Sequence, residues 1–123
     1  MIRPSAAARR RRRAEAKVIA SVRPEVAERD GWCRLVGRGS LVREMFGECR
    51  GDSQWAHYGE RKRSLTRRMP PEHRHDRRFS LMLCFAHHDA YDHGPLEIEA
   101  LDPAAVCDGR LRFSQGGQAW QEP

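Results

Sequence analysis

The stretch Leu83-Cys84-Phe85-Ala86-His87-His88-Asp89-Ala90-Tyr91-Asp92 joins the end of an apolar run to a short, histidine-bearing helix. Phe79 to Leu83 reads as a strand, and Phe85 to His93 has helical character that Gly94-Pro95 stops. Residues four apart on a helix stack on one face, so His88 and Asp92 can reach one ion together. His87 and Tyr91 form a second pair on a neighbouring face. His93 lies five residues from His88 and is turned away on an ideal helix; Asp92 is therefore the preferred second ligand and His93 its competitor.

Working upstream, Trp55 to Tyr58 looks like a brief strand carrying His57. Gly59 to Arg78 is polar and cationic around Pro70-Pro71, holds His73 and His75, and reads as a long loop. Gly37, Gly39, Gly47 and Gly51 predict loops around a short segment at Leu41 to Phe46. A strand ending in His, a loop, a second strand and then Leu-Cys-x-x-His-His on a helix make a small site able to hold one cation.

The segments Arg29-Asp30-Gly31-Trp32-Cys33, Trp55-Ala56-His57 and Leu83 to Asp92 resemble the HNH (His-Asn-His) endonucleases, particularly small phage and prophage members, over residues 25 to 100. The resemblance implies an α+β chain built on a small ββα-metal (His-Me finger) domain. It implies His57 as the general base that activates water, a task suited to an imidazole because its ordinary pKa lies near neutrality. It implies a divalent cation held by His88 with Asp92 or His93. The oxygen ligand Asp92 favours Mg2+ or Mn2+, and a pair of histidines favours Ni2+ or Zn2+. The chain departs from the family in two places. Ala56 stands where a metal ligand usually precedes the catalytic histidine, and the middle asparagine that orients the base is missing, with Ser80 near its position as the substitute.

Cys84-x-x-His87 has the tight spacing of a zinc knuckle. Cys33 and Cys49 are expected to complete a structural zinc site, with the glycine-rich segment between them looped out. A chain of 123 residues has little apolar material for a core, so a metal staple has a physical motive. Cys107 lies outside this set and is expected to be a free thiol.

Charge points to the partner. Through His88 there are 21 Lys and Arg against 10 Asp and Glu, and from Asp89 onward 2 against 7, giving a cationic body of +11 and an acidic end of −5. Such a body attracts a polyanion, because each cation set against a phosphate releases counterions. DNA is the expected partner, gripped by Arg9, Arg10, Arg11, Arg12 and Arg13 as an arm or exposed helix start, and by Arg61, Lys62, Arg63, Arg67, Arg68, Arg74, Arg77 and Arg78 in the loop. Arg61 or Arg63, just beyond His57, is placed to offset transition-state charge. The longest apolar run, Leu81 to Ala86, is too short to cross a bilayer, and Val18 to Val22 falls short of a signal-peptide core, so a cytoplasmic protein without a membrane partner is expected.

Helix formers run from Ala14 to Val22, Pro24 suggests a fresh helix ending at Gly31, Leu96 to Leu101 alternates as a half-buried strand, Arg110 to Phe113 suits its hairpin partner, and Gly116-Gly117 opens a frayed tail. The expected organisation is a basic arm and helix over 1–24, the metal-bearing domain over 25–101 and a C-terminal strand and tail over 102–123. The expected function is metal-dependent DNA phosphodiester hydrolysis; the alternatives are a zinc-stabilised DNA-binding module without catalysis and a basic protein that merely condenses nucleic acid.

Overall fold

The computed structural model describes residues 3–62 and 69–123, apart from the side chains of Glu60 and Lys62. A 25-residue helix, α1 (Ala6–Asp30), opens the fold, its first turn capped by the Ser5 hydroxyl oxygen accepting from the Ala8 N–H at 3.1 Å. The two helices expected on either side of Pro24 are one. A proline inside a helix removes one backbone hydrogen bond and crowds the preceding turn. That local cost is outweighed here because the last turns are pinned. Val26 is fully buried, Arg29 donates to the backbone carbonyls of Arg77 and Ser80, and Asp30 accepts from the Met82 N–H at 3.0 Å. Gly31, at φ 74°, ends the helix where a side chain would be strained. The boundary expected at residue 24 thus falls inside a continuous element.

A short helix α2 (Ser40–Phe46) follows, burying Val42 and Phe46. The strands β1 (Ser53–His57) and β2 (Ser80–Cys84) pair antiparallel with His57 opposite Ser80 and Ser53 opposite Cys84. All five residues of β2 are buried, which explains why Leu81 to Cys84 run apolar without alternation. The connection between β1 and β2, expected as loop, carries a 3-10 turn at Gly59–Lys62, a one-turn helix α3 (Pro71–Arg74) and a second 3-10 turn at Arg77–Phe79. Pro71 supplies the helical φ at a position whose N–H needs no partner. Helix α4 (Phe85–His93) leaves β2 without a linker, and backbone carbonyls of Asp52 and Arg50 accept from the otherwise unbonded N–H groups of Phe85 and Ala86. Gly51 between them, at φ 80°, leaves no room for a Cβ, which would stand 2.5 Å from that of Phe85.

The C-terminal part is a three-stranded antiparallel sheet in the order β3 (Glu97–Ala100), β4 (Leu111–Gln115), β5 (Gln118–Gln121). The frayed tail expected after Gly116-Gly117 is instead β5. Both glycines have positive φ, 58° and 80°, and Gln115 pairs with Gln118, so they form the two-residue turn that closes a tight hairpin. The fold is therefore α+β with two small sheets. Leu81, Leu83, Ala56 and Tyr91 share one core with Leu111 and Phe113, so the last residues belong to the same packed body.

A buried charge cluster locks the segment at the end of α1 to the C-terminal sheet. Arg34 donates from Nε and Nη2 to the Glu122 carboxylate at 3.1 and 2.8 Å, from Nη1 to Asp30 at 3.1 Å, and from Nη2 to the Gly109 carbonyl. Glu122 also accepts from the Leu111 N–H. Removing one partner of a buried pair leaves the other charge uncompensated. Glu122→Ala is expected to lower the free energy of urea unfolding by about 3 kcal/mol; a loss below about 1 kcal/mol, the range of exposed pairs, would contradict this role.

Candidate metal centre and active-site cleft

Sequence-distant segments bring Cys33, Cys49, Cys84 and His87 together, with one ligand atom from each lying within 4.8 Å of all the others. Cys84 is the N-cap residue of α4 and His87 lies in its first turn, so a single turn presents both. Cys33 follows the end of α1, and Cys49 follows α2, which occupies the segment expected to be looped out. The three sulfurs stand 3.6, 3.7 and 3.2 Å from Nδ1 of His87. Ligands about 2.3 Å (S) and 2.0 Å (N) from a tetrahedral ion have an S···N edge of about 3.6 Å, so the residues fit such an ion. His87 Nε2 lies 3.1 and 3.0 Å from the carbonyl oxygens of Phe46 and Gly47. Carbonyls only accept, so Nε2 carries the proton and the Nδ1 lone pair faces the sulfurs. Burial pushes the Cys33 and Cys49 thiols up, a cost that ion binding offsets by ionising them. This cluster could hold a metal ion such as zinc. Cys107 lies outside it, fully buried, its thiol raised by burial to about 12.

On the neighbouring face of α4, a cleft of about 390 Å³ is lined by Trp55, His57, His88, Asp92 and His93. The strand-end imidazole and the helical pair thus meet in one cavity. His88 Nε2 is 3.0 Å from an Asp92 carboxylate oxygen, and His88 Nδ1 is 2.7 Å from Gln54 Oε1. The Gln54 oxygen accepts from Nδ1–H, which leaves Nε2 directed at Asp92. Two atoms about 2.1 Å from one octahedral ion and at right angles lie about 3.0 Å apart, so this pair fits as adjacent ligands. His93, expected to turn away, lines the cleft as well. It is the last helical residue, beside Gly94, where ideal helix directions no longer bind the side chain. Ala56 faces the core and is fully buried, so the strand contributes no ligand from that position. Tyr91 Oη accepts from the Gly59 N–H at 2.9 Å and fixes the chain just past His57.

His57 is oriented from a direction the sequence did not indicate. Its Nε2 lies 2.9 Å from Nδ1 of His75, and Nε2 of His75 lies 2.8 Å from the Glu15 carboxylate. The hydroxyl of Ser80, expected to orient His57, points instead to the Arg77 carbonyl at 3.5 Å. Ser80 does sit opposite His57 in the ladder, where paired residues share a face of the sheet, but it is fully buried and its hydroxyl turns to the backbone rather than to the imidazole. Trp55, His57 and His75 form a three-ring cluster with centroids 4.9 to 5.3 Å apart. Burial, followed by the neighbouring His75, Arg74 and His88, lowers the His57 pKa to about 4, with Asp92 opposing. Trp55 Nε1–H is buried without an acceptor among the described residues.

The expected phosphate-gripping arginines divide into two groups. Arg74, Arg77 and Arg78 are engaged in ion pairs with Glu15, with Glu25 and Asp108, and with Asp76 respectively. Arg61 is not among the residues lining the cleft, and its guanidinium lies 4.0 Å over the Phe79 ring. Arg63, Arg67 and Arg68 fall outside the described residues, as does the side chain of Lys62. Arg9 to Arg13 are exposed along α1, and the ion pairs among the described residues reach none of them. Among the described residues no helix is long and apolar enough to cross a membrane. Compared with known proteins, the chain matches no family model, no curated protein and no solved structure.

Proposed function

We propose that this chain is a DNA endonuclease dependent on a divalent cation, its fold held by zinc at Cys33, Cys49, Cys84 and His87. The observation that carries the reading is the single cleft shared by His57 and the His88–Asp92 pair. It accords with the resemblance to the HNH endonucleases, in which a strand-end base faces a helix-borne ion.

Three sulfurs and one imidazole nitrogen form a closed, soft donor set suited to structural zinc. The cleft offers nitrogen and carboxylate oxygen with open positions, and His88, Asp92 and His93 would hold Mg2+, Mn2+, Ni2+ or Zn2+ there. A cation so placed supplies positive charge to the phosphate oxygens and the leaving oxygen. His57, kept unprotonated at neutral pH by its surroundings, takes a proton from water as the water oxygen bonds to phosphorus and the bond to the leaving oxygen breaks. The leaving oxygen takes its proton from solvent.

The exposed run Arg9 to Arg13 on α1, which no ion pair among the described residues engages, is the proposed backbone grip. Alanine at all five of positions 9 to 13 preserves helix propensity while removing charge. If each arginine meets one phosphate, this variant flattens the slope of log affinity against log salt by about 4 to 5. An unchanged slope would assign the arm no DNA contact. The function itself is tested with zinc-loaded protein and supercoiled plasmid. Nicked circles are expected once Mg2+, Mn2+ or Ni2+ is added and not before. Binding without cleavage under every cation would make the chain a zinc-stabilised DNA-binding module.

A further inference from the structure

We infer that Glu15 and His75 form a carboxylate–imidazole relay that fixes His57 in the tautomer protonated at Nε2, leaving Nδ1 as the nitrogen that takes the proton from water. The inference rests on the nuclease reading for its purpose, while the relay itself is a matter of hydrogen bonding.

A carboxylate only accepts, so at the 2.8 Å contact His75 donates from Nε2 to Glu15. With that proton in place and no second one on the ring, His75 Nδ1 is a bare acceptor. At 2.9 Å it can meet His57 only as the acceptor of an Nε2–H. The chain of bonds thereby dictates which nitrogen of His57 is free. Nδ1 of His57 has no hydrogen-bond partner among the described residues, and the ring lines the cleft. When Nδ1 takes a proton, the imidazolium keeps its bond to His75, and the Glu15 negative charge at the far end of the relay opposes the burial and neighbouring cations that disfavour a charged His57.

The surroundings suit such a role. His75 is 2 % exposed, bonded to Glu15 of α1 and His57 of β1 and packed at a tilt against Trp55, so its ring has one orientation. Hydrogen bonding to His75 keeps Glu15 below the ordinary carboxylate range, and Arg74 stands 3.5 Å from the same carboxylate. Glu15 therefore remains an anion. The relay supplies the orienting bond that the missing asparagine would have made, from a residue 18 positions along the chain and a helix 60 positions from His75. Neither Glu15 nor His75 touches the reacting atoms in this arrangement; both are positioning residues.

Two variants and one spectroscopic readout test this. Nitrogen-15 NMR of the zinc-loaded protein at pH 8 is expected to show His57 protonated at Nε2 and bare at Nδ1. His75→Phe, which keeps a stacked ring and removes both bonds, is expected to release His57 into a mixture of tautomers. Cleavage should fall about 10- to 100-fold with DNA affinity and zinc content unchanged, the usual loss on removing an orienting partner. Glu15→Gln, on a partly exposed helix position, keeps an acceptor but removes the charge; it should retain the tautomer and lose rate. An Nδ1-protonated His57 in the wild type overturns the relay, as does a His75→Phe protein, folded and zinc-loaded, with wild-type tautomer and rate. If the wild type cuts no DNA but His57 shows the expected tautomer and its loss in His75→Phe, the relay stands and the nuclease reading fails.

Discussion

Replacing Cys84 with serine is expected to unfold the protein, not merely to weaken it. Binding of a structural zinc contributes on the order of 10 kcal/mol in small zinc domains, and the whole stability of a domain this size is about 5 to 15 kcal/mol. Loss of one thiolate from a four-ligand set therefore removes a share comparable to the total. The position makes the effect larger. Cys84 is fully buried, ends β2, caps α4 and accepts from the His87 N–H, so its sulfur joins strand, helix and the two upstream segments at Cys33 and Cys49. Serine supplies a capping acceptor in place of the sulfur but is a poor ligand for zinc. Metal analysis should find one zinc per wild-type chain, and circular dichroism should show Cys84→Ser largely unfolded at room temperature. A wild type free of zinc, or a serine variant with an unshifted unfolding midpoint, would exclude the site.

His88→Ala should separate the second metal from the first. Its ring is held by Gln54 on one side and faces Asp92 on the other, while the zinc ligand His87 points to a different face. On the proposed reading, removing it should leave the fold and the zinc site intact and take a nitrogen ligand from the cleft. Since a catalytic cation offsets several kcal/mol of transition-state charge, its weakened binding should slow cleavage on the order of 100-fold or more at fixed cation concentration. Raising the cation concentration should restore part of the rate. A His88→Ala protein with wild-type rate and metal dependence would remove the helical pair from the mechanism.

The elements nearest the site were legible because they obey local rules. The apolar run ending at Leu83, the stop at Gly94-Pro95 and the Cys84-x-x-His87 spacing each depend on neighbours within a few residues. Cys33 and Cys49 were legible as the upstream pair needed to complete the Cys84-x-x-His87 knuckle. What escaped was non-local. Glu15 and His75 are 60 residues apart, Arg34 and Glu122 are 88 apart, and no spacing rule joins them. The arginines at 74, 77 and 78 counted as free charge in the sequence, whereas folding sets each beside a carboxylate. Pro24 and the arginine run broke the expected helix locally, yet Val26, Arg29 and Asp30 hold α1 continuous through contacts made only in the folded chain.

The central claim is that His57 removes a proton from the attacking water in a cleft it shares with the cation. It is tested most directly by single-turnover cleavage of DNA with His57→Ala beside wild type, both zinc-loaded and saturated with cation. A rate about 100- to 10,000-fold lower is expected for the variant, the span of general-base contributions, with DNA affinity and zinc content unchanged. Equal rates for the two proteins would contradict it.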